Sequence, residues 1–374
     1  MTLITLDVLP ATRGDGLWLE CQRPGQRPWR MLCDGGLPTD YPLLREHIRR
    51  MVPNGPVEID LLVVSHIDSD HIGGLLPLLT DPDLDFSLGD LWFNGLPQLP
   101  EVEDQASRSV AEGEQLLAVL GNRTKGKRLP WNERFGRAAV TTVGDGSFHV
   151  IDWPDGPRLT LLSPTPRRLK ALRKTWTAEL LKLQRGEPSQ EESTAVPQAL
   201  EDLEALARQP TALDASAANG SSIAFLLEYA NHRLLFAADA FSSVLGPALT
   251  ALANSRDGEP IKVDIFKLPH HGSKGNVTAA LLGLVPARHY VISTNGDRFN
   301  HPDDVALARV VTQPRPDGQS VTLWFNYAST AAQRWDRPDL RERYGFAVQM
   351  PGALASPGIR LQLPDPPSCE RDPS

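Results

Sequence analysis

The stretch SHIDSDHIGG, Ser65 to Gly74, follows the apolar run LLVV and sets two histidines and two aspartates into the six positions from His66 to His71. VEIDLLVV reads as a buried strand, because four apolar β-formers run together. IGGLLPLLT reads as a helix that starts just after the histidines. His66, Asp68, Asp70 and His71 therefore stand where a strand ends and a helix begins, the place where α/β folds put their sites. A solvated turn with an Asp cap accounts for any one of them. It does not account for four, since ionisable groups crowded beside a Gly-Gly turn repel one another unless a cation compensates them. Imidazole and carboxylate together suit zinc, manganese or iron.

Outward from this stretch, strand patterns recur at TLITLDVL, DGLWLECQ and RPWRMLCDGG before it, and at PRLTLLSP, SIAFLLEYANHRLLFAADA, VDIFKLPHHGS, ARHYVISTNG and QSVTLWFNYAST after it. YPLLREHIRRMV is helical, and helices fit between several of the later strands, so the pattern is mixed α/β. Two stretches break the rhythm and read as insertions, at about 97–140, with the basic turn RTKGKR, and at about 165–217. The second holds a basic helix, PRRLKALRKTWTAELLKLQRG, a polar linker and a short acidic helix. DPPSCERDPS, residues 365–374, reads as a frayed tail, which leaves residues 1–364 as one domain carrying both insertions.

The chain of 374 residues, 41% of them hydrophobic, is long enough for a proper core. Its N-terminus lacks a basic and then apolar leader, and no run of about 18 apolar residues occurs, so the expectation is a cytoplasmic protein without a membrane partner. Cys21, Cys33 and Cys369 are too few and scattered for a disulfide framework. A net charge of −8 gives no global attraction to nucleic acid, so any such contact must come from a local patch.

The motif H-x-D-x-D-H from His66 to His71 resembles the signature loop of metallo-β-lactamase-fold hydrolases, whose commoner form is H-x-H-x-D-H. With its trailing IGG it is similar to the variant in the metallo-hydrolase domain of ComEC DNA-uptake proteins and their stand-alone relatives. LDVLPATRGDG, MLCDGG, NGSSIAFLLEYANHRLLFAADA, KLPHHGS and ISTNGDRFNHPDD resemble further segments of that subfamily in the same order. The resemblance spans roughly residues 3–95 and 145–325. It implies an αββα sandwich, two facing mixed sheets with helices outside and the site at one edge between them.

The resemblance also implies two divalent metal ions, zinc or manganese. His66 and Asp68 would bind the first, Asp70 and His71 the second, and Asp239 would bridge them. A carboxylate ending an apolar strand also calls for a cation or donors on physical grounds. At least one of His270 and His271 is expected to point into the site, and His301 to be a last ligand or a phosphate contact. Where the superfamily has a further His before the strand SIAFLLEYA, this chain has Asn219, which leaves the first metal short of an imidazole. The usual Gly before the bridging Asp is Ala238. Asp15 and Asp34, in Gly turns, either orient ligands or simply make turns. His47, His149, His232 and His289 are expected to pack or face solvent.

Such a site supports hydrolysis by a metal-activated water, with Asp70 and Asp239 as the catalytic carboxylates. A phosphodiester in DNA is the leading expectation, from the subfamily resemblance and from Lys267 and Lys274, which bracket Ser273 in PHHGS. The inserted helix adds Arg167, Arg168, Lys170, Arg173 and Lys174 with Trp176 beside them, able to grip a backbone and stack a base. A solvated helix face is the plainer reading of that run. Alternatives are a small phosphoester hydrolase under a helical lid, and a metal-binding subunit of a multi-protein, even defensive, system with a protein partner.

Overall fold

The computed structural model describes residues 2–53, 55–101, 123–124, 127–144, 146–185, 196–315, 318–352 and 357–364. The strands are β1 Thr2–Val8, β2 Leu17–Cys21, β3 Trp29–Cys33, β4 Val57–Val63 and β5 Phe86–Trp92. A two-residue pair follows, β6 Arg123–Thr124 with β7 Lys127–Arg128. Then come β8 Val150–Asp152, β9 Arg158–Ser163, β10 Ala224–Tyr229, β11 His232–Phe236 and β12 Val263–Lys267. The last four are β13 Ala287–Ile292, β14 Val321–Phe325, β15 Phe346–Gln349 and β16 Ile359–Pro364.

Two mixed sheets result, one in the order β16-β1-β2-β3-β4-β5 and the other β15-β14-β13-β12-β11-β10-β9-β8. Strand alternation decides how they stack. Phe225, Leu227, Leu234, Phe236 and Ile265 meet Leu6, Leu19, Met31 and Leu61 of the first sheet in a shared inner core. Their neighbours Leu226, Leu235 and Phe266 point the other way, onto the helices Ser242–Asn254, Ala279–Leu284 and Asp304–Val311. The far face of the first sheet, with Trp18, Leu32 and Leu62, packs on Leu44 and Ile48 of the helix Tyr41–Met51 and on Leu75 and Leu78 of Leu75–Thr80. Period-two side chains thus separate three apolar layers, and the order is helix, sheet, sheet, helix. This is the αββα sandwich that the resemblance implies.

Neither irregular stretch stands apart from the sandwich in its described part. Leu129 and Val140 are buried, and Asn132 bonds the Phe93 backbone through both its side-chain atoms, so residues 129–140 extend the edge beside β5. The helix Pro166–Arg185 lays Leu169, Leu172 and Trp176 into the layer outside the first sheet. Leu200, Leu203 and Leu206 belong to the opposite outer layer. The second stretch therefore crosses from one side of the sandwich to the other. The side chains of RTKGKR, most of the polar linker, Cys369 and the tail lie outside the described residues; Cys21 and Cys33 are buried free thiols. Among the described residues no helix is long and apolar enough to cross a membrane.

The four histidines expected to pack or face solvent all lie away from the strand ends that carry the site. His149 is exposed against Phe135, the His232 Nε2 bonds the Pro364 carbonyl, and His289 accepts from Trp324. His47 is buried against the edge of Trp18, its Nε2 3.5 Å from Asp7. Burial lowers its pKa from 6.5 to about 4, against the pull of Asp7. Between those two values the unfolded chain binds the extra proton and the folded chain does not, so stability falls as pH drops through that window and levels off below it. The loss amounts to about 3 kcal/mol. Denaturant titrations from pH 7 to pH 4 should show His47→Gln losing less stability with acid than the wild type.

Candidate metal centre

The pairs β3·β4, β4·β5 and every pair from β11 to β15 are parallel, so these strands end at one edge of the sandwich. From that edge β3 delivers Asp34, β4 delivers Ser65 and His66, β11 leads to Asp239, and β12 to His270 and His271. A one-turn helix, Ser69–Ile72, begins inside the motif and not after it, which swings His71 inward. The β1–β2 loop passes directly against that turn: a Cβ on Gly14 would lie 1.5 Å from the Asp70 carbonyl oxygen, so a side chain there would push the ligand loop away. Ala238, His270 and His271 hold left-handed backbone, at φ of 45°, 50° and 53°. Each such conformation costs a non-glycine residue about 1–2 kcal/mol, which explains why a glycine before Asp239 is the easier choice.

Four imidazoles converge on one carboxylate oxygen. The Asp239 Oδ2 lies 3.4 Å from His71 Nε2, 3.8 Å from His66 Nε2, and 3.7 Å from both His270 Nε2 and His271 Nε2. Asp68 sits 3.5 Å from His66 Nε2, and Asp70 4.0 Å from His271 Nε2. The opposite ring nitrogen is held from behind in every case. His71 Nδ1 is 2.9 Å from Asp34, whose carboxylate also accepts from the Ser65 amide and hydroxyl. His66 Nδ1 meets the Ser65 hydroxyl at 2.9 Å, and His271 Nδ1 donates to the Ser293 carbonyl at 2.8 Å. His270 Nδ1 faces Asn276 Oδ1 at 3.1 Å and Asp214 at 3.3 Å.

These arrangements put the proton of His71, His270 and His271 on Nδ1 and aim the Nε2 lone pair at the centre. A lone pair facing a carboxylate is repulsive unless a cation lies between. His66 Nε2, His71 Nε2, His271 Nε2 and Asp239 Oδ1 are all buried without a hydrogen-bond partner. Each such atom costs about 1–3 kcal/mol, and several aimed at one place fit a metal ion. The sets His66–His71–Asp239 and Asp70–His71–His271 each bring three ligand atoms within 4.8 Å of one another. His71 is common to both sets.

The electrostatics carry the same message. Burial alone would raise the Asp239 carboxyl, but the charges of His71, His271 and His270 hold it well below the usual range. Burial alone would lower His71, yet Asp239 and Asp34 push it well above. His271 goes the other way, lowered by burial and by Lys267. Asp70 is raised, chiefly by burial and further by Asp68 and Asp239.

Several residues take places the sequence did not suggest. Lys267 is fully buried and pairs with Asp15, so it faces the interior and not a substrate phosphate. Trp176 is 4% exposed in the core and cannot stack a base. Arg173 donates to the Leu96 carbonyl at 2.7 Å. Arg167 and Lys174 remain on the exposed face, and Arg168 lies half-buried 4.5 Å over the Phe241 ring. Ser273 Oγ accepts from the Gly275 amide, and Lys274 is tied to Asp303 at 3.4 Å. Asn219 is buried and donates to Asp214 at 2.8 Å, behind the ligands. His301 lies edge-on 5.6 Å from His270 with Asp303 beside it, and like His270 it is in none of the ligand sets. Asp214, Asn276 and Ser293 were not foreseen; a carboxylate inside an irregular stretch and a backbone carbonyl carry no motif.

The fold is an αββα sandwich, and its edge carries clusters of His and Asp side chains that could hold metal ions. No family model matches the chain, and no curated protein does. Among solved structures it is similar to a point mutant of the CmlA beta-hydroxylase, at 12% identity and a TM-score of 0.37. It is also similar to CmlA itself, titled a diiron beta-hydroxylase from Streptomyces venezuelae, at 11% identity and a TM-score of 0.37. Each alignment covers 96% of this chain and 54% of the other, so the chain spans about half the length of these proteins.

Two substitutions test the supports of the centre. Asp34→Asn removes the carboxylate behind His71 and should weaken metal binding about 10–100-fold in chelator competition, with the circular dichroism spectrum unchanged. Lys267→Met leaves the buried Asp15 charge without its cation and should cost about 3–5 kcal/mol in urea unfolding. Adding Asp15→Leu should restore a large part of that.

Proposed function

We propose that the protein is a metal-dependent hydrolase of phosphodiesters, with DNA as the substrate. The convergence of four imidazoles on Asp239, flanked by Asp68 and Asp70, carries this reading. His66 and Asp68 would hold a first divalent ion, Asp70, His71 and His271 a second, and Asp239 would be shared; zinc or manganese suits these donors. Divalent ions held there would supply Lewis-acid activation of a water and neutralise charge on the scissile group. Asp70, partly open to solvent, would orient a water and take its proton. The water oxygen bonds to phosphorus, the ester P–O bond breaks, and the proton passes to the departing oxygen.

The likeness of the motifs to the ComEC-type domain supports a nucleic-acid substrate, as does the cationic row of Arg167, Arg168, Lys170 and Lys174 outside the core. Arg168 is placed best. Its guanidinium lies on Phe241, two residues past Asp239, and beside Gly220, one past Asn219. A smaller phosphoester is the second reading, favoured by the burial or backbone pairing of Lys267, Arg173 and Trp176, which shortens the surface available to a polymer.

End-labelled single- and double-stranded DNA and a bis-aryl phosphate, each with manganese or zinc, decide between them. DNA cleavage should fall at least about 100-fold in Asp70→Asn. On DNA, Arg167→Ala and Lys174→Ala should each reduce the slope of log affinity against log salt by about one. Cleavage of the small ester alone selects the second reading. Cleavage of neither by folded, metal-loaded protein overturns both.

A further inference from the structure

We infer that Asp214 is a positioning residue that makes His270 an additional ligand of the centre, so that the segment leading into β10 completes a site otherwise built by the two sheets. Asp214 is nearly buried, with its side chain 6% exposed, although it lies in irregular chain. Its Oδ1 accepts from the Ser216 amide, which fixes the carboxylate to its own turn. Its Oδ2 accepts from Asn219 at 2.8 Å and from Asn276 at 3.1 Å, and lies 3.3 Å from His270 Nδ1. The Asn276 amide has its orientation set by the Asp239 and Ala240 carbonyls, to which its nitrogen also donates. Its oxygen is thereby turned to His270 Nδ1.

Two acceptors on Nδ1 leave the lone pair of His270 on Nε2, 3.7 Å from Asp239 Oδ2. The Asp34–His71 pair has the same design on the other side of Asp239. His270 holds left-handed backbone to reach this position, and so does His271; a chain needing one ligand from this turn would not require both. The supporting segment is also clasped in place. The buried Arg309 guanidinium donates to the carbonyls of Ala207 and Gln209 on one side and of Lys274 and Val277 on the other. Residues 207–216 are thus tied to the histidine turn at both ends, an arrangement that surface insertion alone does not need.

The inference rests on the metal reading but not on the phosphodiester. The full chain is loaded with cobalt(II), desalted, and examined for metal content by mass spectrometry and for its visible d–d absorption. The wild type should retain two ions. His270→Ala and Asp214→Ala should lose the same ion, or bind it at least 10-fold more weakly, with matching altered spectra, while Asp214→Glu restores the wild-type spectrum in part. If Asp214→Ala fails to fold, the isosteric Asp214→Asn is read in its place. Wild-type content, affinity and spectrum in the folded Asp214 variant, or in His270→Ala, overturn the inference. A wild type that retains no cobalt overturns the metal reading itself, and one that retains two ions but leaves DNA intact counts only against the substrate.

Discussion

Everything at this edge of the molecule depends on placing the Asp239 carboxylate within 4 Å of four imidazole nitrogens. The sandwich does this because its parallel strands end together. β4 belongs to one sheet and β11 and β12 to the other, so His66 and His71 approach from one side while Asp239, His270 and His271 approach from the other. The inner core between the sheets fixes that separation, since interiors are close-packed and do not slide continuously. A shift of one sheet against the other would have to disturb Phe225, Phe236 and Leu61 before it could move the ligands.

A ring aimed at a cation must be held by its other nitrogen, and the four rings are held in four different ways. His71 leans on a carboxylate, His66 on a hydroxyl, His271 on a backbone carbonyl and His270 on an amide–carboxylate pair. The supports differ in charge, so the basicity they give each ring differs as well. His71, backed by the fully buried Asp34 and facing Asp239, is the ring pushed furthest toward protonation. It is also the ring that three of the four possible ligand sets among the described residues contain.

Much of this was legible in the sequence, and the reasons are local. SHIDSDH follows a buried strand, and FAADA and PHHGS end others, so chemistry-bearing residues at strand ends could be read from apolar runs and the polar residues after them. The strands β9 to β14 were read from the same patterns. What could not be read depends on packing between distant segments. LRKTW looks like a basic, base-stacking helix face, but its register places Leu172 and Trp176 inward and ties Arg173 to a loop 77 residues earlier in the chain. Asp214 had no motif, because its partners are Asn219, Asn276 and His270, joined only by the fold. β5, β15 and β16 were missed because their patterns are short or half-exposed.

Lys267 shows why proximity in sequence misled. Two residues before PHHGS in a strand with period two, it points inward, and its ammonium ends on Asp15 beneath the centre. A lysine in apolar surroundings needs an anion, and a carboxylate next to His271 and Asp239 needs a cation, so each meets the other's requirement. Asp15, Asp34, Asp68, Asp70, Asp214 and Asp239 crowd one small volume. Lys267 and two divalent ions would leave that group within about one charge of neutrality, whereas Lys267 alone would leave it strongly negative. Its place is therefore structural and electrostatic at once. Its ammonium offsets the charge of Asp15, a carboxylate that itself lies within reach of Asp239 and His271.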